Sequence, residues 1–522
     1  MKRRQFIQTV PVAVGGMTVT AYGSSPLIRT MAANLFDTDR VMVIVQLNGG
    51  NDGLNTIFPL DQYDTLYKFR DNLLMPQNKI LKLNDNTGIH PSMDRFKQMF
   101  DDKKLAVIQS VGYPSFNFSH FRATDIFVSG SSSKDDINSG WLGRYLNYEY
   151  PNYPVGFPNP TMPDPPAIRI GSNVGLGLQS NNINMGISIN NTNDPLNLAG
   201  NIYRDPVTND CKGKEVAYIR EIQRQTDKFG DVVSAAAMKG KNMSSLYSAS
   251  GNSLSDALKI VAKLISGGLK TRIYWVNIGG FDTHSNQVVG SDRTTGSHAT
   301  LLKRVSDGIY AFMDDMKLQG FEDRVVGMTF SEFGRRVKSN ASIGTDHGAA
   351  QPMFVFGKNI IPGVLGVNPT IDPNTTVGSN VAMQYDFRSV YASFLKDWFC
   401  VPDSDLENIM LYKIQKLPLL DAGNCLPTDT HDQNTKAGEN IIYAYPNPFV
   451  ERTSIKFESK GGYSQIQIFN NSGVLVKDVY NGDLPEGSYK QDIEFGDVPN
   501  GIYYVRVQTG IFQQVKAIHK VN

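Results

Sequence analysis

Arg272-Ile273-Tyr274-Trp275-Val276-Asn277-Ile278 is an apolar, β-rich run that empties into Gly279-Gly280 and then into Phe281-Asp282-Thr283-His284-Ser285-Asn286-Gln287. A run of this composition, ended by paired glycines, reads as a buried strand leading into a tight loop. The loop carries a carboxylate and an imidazole one residue apart, so Asp282 and His284 point the same way if the backbone there is extended. Such a pair can hold a metal or move a proton. Equally, Asp282 can close a turn and His284 can donate to backbone.

The same pattern recurs along the chain. Arg40-Val41-Met42-Val43-Ile44-Val45-Gln46-Leu47 is nearly continuous in apolar residues, as in a parallel strand buried on both faces, and it ends at Asn48-Gly49-Gly50-Asn51-Asp52-Gly53. Lys104–Val111 is a second such run, and Arg324–Phe330 a third that ends in Ser331-Glu332-Phe333-Gly334-Arg335-Arg336. A short loop with Gly344-Thr345-Asp346-His347-Gly348 follows, then the run Met353–Phe356. Helical spacing separates them, over Asp61–Leu73, Ser92–Phe100, His120–Val128, Glu215–Lys239, Leu254–Leu269, Ser297–Leu318 and Asp386–Phe399. Alternating buried strands and helices predict an α/β fold with a mostly parallel sheet, in which ligands bind beyond the carboxyl ends of the strands. Asp52, Ser119, Asp282, His284, Glu332, Asp346 and His347 all fall on or soon after such ends. That shared placement favours a metal or catalytic site.

Ser119 stands where the helix starting at His120 begins. It can serve as the N-cap, or as a nucleophile at the positive end of a helix with His120 beside it. Arg144, in Gly140-Trp141-Leu142-Gly143-Arg144-Tyr145, is either an anion clamp or a surface charge. Residues 146–213 are rich in Pro, Asn and Gly and read as an insertion of loops and short strands that can roof a site.

Composition excludes several classes. With 522 residues the chain has room for two or three domains, and its formal charge of +1 gives no electrostatic case for nucleic acid. Its three cysteines make neither a zinc finger nor a Cys-x-x-Cys pair; Cys400 and Cys425 can close a loop in an oxidising compartment, leaving Cys211. Residues 1–34, opening Met1-Lys2-Arg3-Arg4-Gln5-Phe6-Ile7, read as an export signal, of twin-arginine or general secretory kind. No later run is long and apolar enough for a transmembrane span, so the product is expected to be soluble or surface-attached. The main α/β domain is expected over residues 35–427 and a polar linker over 428–440. Over residues 441–522 short alternating strands such as Ser454–Phe457, Gln465–Phe469 and Tyr503–Val507 predict a small all-β sandwich.

The motifs Leu47–Gly53, Asn117–Phe121, Gly140–Arg144, Gly280–His284, Ser331–Arg335 and Gly344–Gly348, taken together over about residues 38–400, resemble the domain of unknown function 1501 family. That family is similar to the alkaline phosphatase and sulfatase superfamily. The resemblance implies a doubly wound, alkaline phosphatase-like sheet and a divalent-metal site, whose ion would be zinc, calcium, magnesium or manganese. Ser119 matches the place of the superfamily nucleophile, and Asp282 with His284 its paired Asp and His. Asn48 stands where the superfamily has an acid, with Asp52 four residues on. The later Asp-His pair is matched by position at Ser331-Glu332 and by spelling at Asp346-His347. One metal, or binding without hydrolysis, is implied as readily as two metals. From Tyr445-Pro446-Asn447-Pro448-Phe449 to Gly501-Ile502-Tyr503-Tyr504-Val505 the chain resembles the type A sorting domain of type IX secretion. This implies a Bacteroidetes bacterium, the type IX secretion machinery as partner, and passage through the periplasm to the cell surface or medium.

The expected function is an exported metal-dependent hydrolase of phosphate or sulfate esters. Ser119 would be its nucleophile, with His120 beside it, Arg144 would steady the anion, and Asp52, Asp282, His284, Glu332, Asp346 and His347 would be the metal ligands to choose from. The alternative is a surface binding or accessory protein that keeps the fold without turnover, with a small-molecule or polysaccharide ligand.

Overall fold

The computed structural model describes residues 39–151, 153–159, 162–190, 208, 210–421, 425, 442–447, 449–470, 475–496, 498–509 and 512–521, with two short N-terminal strands at 9–14 and 17–22. Most of the expected export signal and the expected linker lie outside the described residues. Contacts resolve the chain into two compact units. One comprises 39–401 and 405–422; the other comprises 423–522 with 1–38 and 402–404.

The larger unit is a mixed α/β domain around a nine-stranded sheet. In chain order its strands are β1 (Val41–Leu47), β2 (Leu105–Gly112), β3 (Ala167–Ile170), β4 (Ile187–Ile189), β5 (Ile273–Ile278), β6 (Val325–Phe330), β7 (Gln351–Gly357), β8 (Gly363–Leu365) and β9 (Tyr385–Asp386). Across the sheet the order is β4-β3-β5-β1-β6-β7-β2-β8, with β9 also on β2. β7 is antiparallel to both neighbours; the remaining pairings are parallel. Every residue of β1, β2 and β6 is buried, which is why those segments show continuous apolar runs rather than alternation. The central position of β1 brings its carboxyl end between those of β5 and β6.

The helices that matter to the site are α1 (Tyr63–Arg70), α2 (Asp94–Asp101), α3 (His120–Ser129), α4 (Trp141–Glu149), α5 (Cys211–Lys239), α6 (Ser253–Ser266) and α7 (Ser297–Leu318). α6 packs against α5, α7 and β5, burying Leu254, Leu258, Val261, Leu264 and Ile265 at helical spacing. The segment 146–213, expected to be an insertion outside the core, contributes β3 and β4 to an edge of the central sheet. β3 is only four residues long, between Pro165-Pro166 and Gly171, too short to declare itself by periodicity. Cys400 and Cys425 are both disulfide-bonded.

In the smaller unit the described strands form one curled antiparallel sheet rather than two recognisably facing ones. Arg452–Asn470 is a single strand of 19 residues in which the expected Ser454–Phe457 and Gln465–Phe469 are both contained. Gly461 and Gly462, at φ +88° and +89°, bend it without ending its pairing, and register shifts near its end add to the curl. One edge pairs with Leu475–Glu494. The other pairs first with Ile442–Tyr445 and later with Gly501–Thr509. Phe449, Ile455, Phe457, Ile466, Ile468, Ile493, Val505 and Ile518 give the unit its own apolar core. Among the described residues of the chain, no helix is long and apolar enough to cross a membrane.

Candidate metal centre

Four loops meet at the carboxyl ends of β1, β5, β6 and β2, and their backbones approach so closely that side chains are excluded. Gly49, just after β1, has φ +123°, and a Cβ there would stand 2.3 Å from the Asp282 backbone nitrogen. Ser331 Oγ ties the same turn to β6: it donates to Leu47 O at 2.5 Å and accepts from the Gly50 and Asn51 N–H groups, each at 3.1 Å. Glu332 Oε1 accepts from Gly49 N–H at 2.8 Å. The glycine-rich turn is therefore held by the acid that follows it in space, not in sequence.

Arg335 locks the rest. It is almost fully buried, and its guanidinium donates to Gly50 O at 2.7 Å, Thr345 O at 2.8 Å, Phe281 O at 3.1 Å and also to Gly49 O. Nη2, which faces Gly49 O and Phe281 O, also reaches Asp282 Oδ1 at 2.6 Å. Burial raises the Asp282 carboxyl, but Arg335, helped by His347 and His284, outweighs it and holds the group at about 2. Asp282 is thus ionised throughout the physiological range.

Three imidazoles surround that carboxylate. His120, the first residue of α3, places Nδ1 2.7 Å from Glu332 Oε1. His347, on the short strand Thr345–His347, places Nδ1 2.8 Å from Phe118 O. His284 places Nδ1 3.2 Å from Asp346 Oδ1. Each Nδ1 faces an oxygen acceptor, the arrangement that in a neutral imidazole puts the proton on Nδ1 and leaves Nε2 able to ligate a metal. Those Nε2 atoms converge. His347 Nε2 is 3.2 Å and His284 Nε2 3.1 Å from Asp282 Oδ1, and the two nitrogens are 2.8 Å apart. His120 Nε2 lies 3.4 Å from Asp282 Oδ2, is buried, and has no hydrogen-bond partner. Burial, ahead of the other influences on it, lowers the His347 pKa, which favours the neutral, ligating form.

Ring nitrogens this close to a carboxylate and to one another are held together by a proton or a metal cation shared among them. Ligand atoms of His120, Asp282 and His347 all lie within 4.8 Å of one another, close enough to share one ion, with His284 at the edge of the group. Anchoring Nδ1 to a carboxylate or carbonyl is also how metal-ligating histidines are oriented. The donor set fits a divalent metal.

The sequence-derived candidates divide accordingly. His120, Asp282, His284, Glu332, Asp346 and His347 are brought together, Glu332 and Asp346 as hydrogen-bond partners of the histidines. Asp52 is elsewhere: it is fully buried, accepts two bonds from Arg70 Nη1 at 2.7 and 2.9 Å, and takes a third from Gln287 Nε2 at 2.6 Å. Arg144 is spent on the carbonyls of Ile409, Ser139 and Ser129, at 2.5, 2.8 and 2.8 Å. Ser119 occupies the N-cap position of α3 with an exposed side chain that makes no cap hydrogen bond. Beside the cluster opens a cleft of about 520 Å³, lined by His120, Asp282, Glu332, Phe121, Asp125 and Arg169 among others. Neither Arg335 nor Arg169 stood out as a site residue in the sequence; the signal for Arg335 was its place directly after Ser331-Glu332-Phe333-Gly334.

The comparison with curated proteins gives no match. Among solved structures, the chain is similar to the PsFucS1 sulfatase from Pseudoalteromonas sp. at 8% identity, covering 90% of this chain and 88% of that one, with a TM-score of 0.33. It is similar to the alkaline phosphatase from the Antarctic bacterium TAB5 at 11% identity, covering 61% and 92%, with a TM-score of 0.23. It also matches PorZ, a surface component of the type IX secretion system of Porphyromonas gingivalis, at 18% identity and a TM-score of 0.12, over 16% of this chain and only 11% of that one. At these TM-scores the likenesses carry no argument. Residues 443–520 match the Secretion system C-terminal sorting domain, which associates the chain with type IX secretion and destines it for secretion or surface attachment. The loops that build the histidine cluster all fall within residues 39–396, which match the family described as Protein of unknown function (DUF1501), and the chain belongs to that family.

Proposed function

We propose that the protein is an exported metal-dependent hydrolase of phosphate or sulfate esters. The observation that carries this reading is the convergence of three Nε2 atoms on the Asp282 carboxylate, each imidazole anchored through Nδ1. In this reading the main unit is a doubly wound, alkaline phosphatase-like domain spanning about residues 35–427, and residues 441–522 are a sandwich-like sorting module. Residues 1–34 direct export from a Bacteroidetes cell.

Asp282, His120 and His347 would hold the ion, with His284 completing the set. An imidazole-rich donor group suits zinc better than calcium or magnesium, which prefer oxygen. A divalent cation bound there supplies Lewis-acid polarisation of the ester and neutralises developing charge. Arg335 keeps Asp282 ionised, and Glu332, beside His120 Nδ1, would hold that ring with Nε2 turned to the ion. Ser119, at the positive end of α3, is the nucleophile of this reading.

A second reading, a surface binding or accessory protein that holds the metal without turnover, draws on Arg144, whose guanidinium bonds backbone carbonyls away from the cluster. Elemental analysis of the full chain, with rates on a panel of aryl phosphates and sulfates, separates the two. The hydrolase reading expects bound zinc or another divalent ion, metal-dependent turnover, and lower metal content in His284→Ala at an unchanged melting temperature, since His284 is a partly exposed loop residue. Metal without turnover supports the second reading. A protein that binds no divalent ion removes both.

A further inference from the structure

The cleft beside the cluster has a wall that the proposed chemistry leaves unused. Arg169, on β3, lines it together with Phe121, Thr124 and Asp125 of α3 and Gln46 of β1. The guanidinium lies over the Trp275 ring, 5.5 Å from its centroid, and Nη1 donates to Val174 O at 3.3 Å. Trp275 is itself held by Nε1 donating to Gln46 Oε1 at 3.2 Å. Gly175, at φ +76°, completes the seat: a Cβ there would stand 2.2 Å from Arg169 Nη1. The loop that follows β3 is thus shaped around this side chain.

Among the described residues the seat has no counter-charge: burial lowers the Arg169 pKa, and no described carboxylate acts on it in return. The acids of the cleft are engaged elsewhere. Asp282 pairs with Arg335, Glu332 accepts from Gly49 N–H and His120, and Asp125, its carboxyl raised chiefly by burial, is acted on by Arg122 and Asp136. A partly buried cation without an anion carries a desolvation cost. Here it faces a cavity of about 520 Å³, within the size of a small-molecule site. A guanidinium fork matches the oxygens of a tetrahedral oxyanion two at a time.

We propose that Arg169 is the anion-recognition residue of this cleft, and that the ligand it takes is a phosphate or sulfate ester gripped through its charged oxygens. The ester rests on the hydrolase reading above; the anion site does not.

Isothermal titration of inorganic sulfate into the chelator-treated full chain tests the site without turnover. Wild type is expected to bind sulfate, and Arg169→Gln to weaken it about tenfold or more, as when a charge-assisted hydrogen bond is lost. Arg169→Lys should fall between, keeping a point charge without the fork. Should Arg169→Gln lower the melting temperature, Arg169→Lys carries the comparison alone, and equal affinity to wild type overturns the proposal. So does sulfate binding that Arg169→Gln leaves unchanged, or a wild type that binds none. If the metal-loaded protein turns over no ester while the Arg169 variants still lose sulfate, the hydrolase reading falls and the anion site stands.

Discussion

At the scale of single residues, the polar groups behind the cluster set how the protein responds to acid. His298 is fully buried, with Nε2 3.0 Å from Asn51 Oδ1 and Nδ1 3.1 Å from Asn55 Nδ2, and burial lowers it to about 4. His90, also buried, accepts from Ser92 N–H through Nδ1 and is lowered to about 3, by burial and then by His298. Both fall below the unfolded value of about 6.5, so the unfolded chain takes up these protons first. Stability is full above about pH 6.5 and declines as pH falls towards 4, by on the order of 3 kcal/mol from His298 alone. Thermal unfolding followed between pH 7.5 and 4.5 should show this fall, and His298→Gln should flatten it; a slope that the variant leaves unchanged would assign the decline to other groups. Asp282 and Asp52 act in a separate window. Their carboxyls lie below the usual range, so the stability they contribute is lost only as pH drops below about 4. Asp282, with His284 two residues on, was legible in the sequence as a candidate because a strand end displays its loop. Asp52 was legible as a charge but not as the partner of Arg70, since nothing in a linear chain announces a pairing across 18 positions.

At the scale of elements, the hairpin of Arg335–Ser339 and Thr345–His347 carries His347 into the cluster and depends on α1 for its position. Arg70, the last residue of α1, donates to Val337 O at 2.6 Å and Arg336 O at 2.5 Å while pairing with Asp52. Both side chains are buried, so Arg70→Ala leaves a carboxylate stranded, a change that costs about 3–5 kcal/mol. The expected result is a lower melting temperature and faster amide exchange in the hairpin. Asp52→Asn with Arg70→Met, which removes both charges, should recover most of that loss, and no recovery would mean that the two backbone bonds matter more than the ion pair. The strands that frame this region were readable because burial on both faces writes an unbroken apolar run, as in Val41–Leu47. Direction was not readable. Met353–Phe356 looks like its neighbours, yet β7 runs against them, because an interior strand is equally apolar whichever way it points. The small sheet was legible as short antiparallel strands but not in its continuity: Ser454–Phe457 and Gln465–Phe469 belong to one strand, because the backbone uses Gly461-Gly462 to bend it and keep its ladder.

At the scale of the whole molecule, the two units have separate apolar cores, and the histidine cluster lies entirely in the larger one. A chain ending at Pro427 is therefore expected to fold and bind metal like the full protein, yet to remain in the periplasm of its own host. Loss of metal from that shorter chain, measured by elemental analysis, would mean that the sorting module supports the site. The loops of the cluster have one more consequence. They are drawn from positions as far apart as Gly49 and His347, and they meet only where strands distant in sequence lie side by side. Contacts of such long sequence separation form late, after the loops between them have closed. A cation can first be captured in the compartment where the sheet completes, from whatever ions that compartment holds, because donor affinity alone does not choose among them. Where the ion exchanges more slowly than the chain is exported, the ion found in protein taken from its native host would be a record of where the chain folded, and so of the door through which it left the cytoplasm.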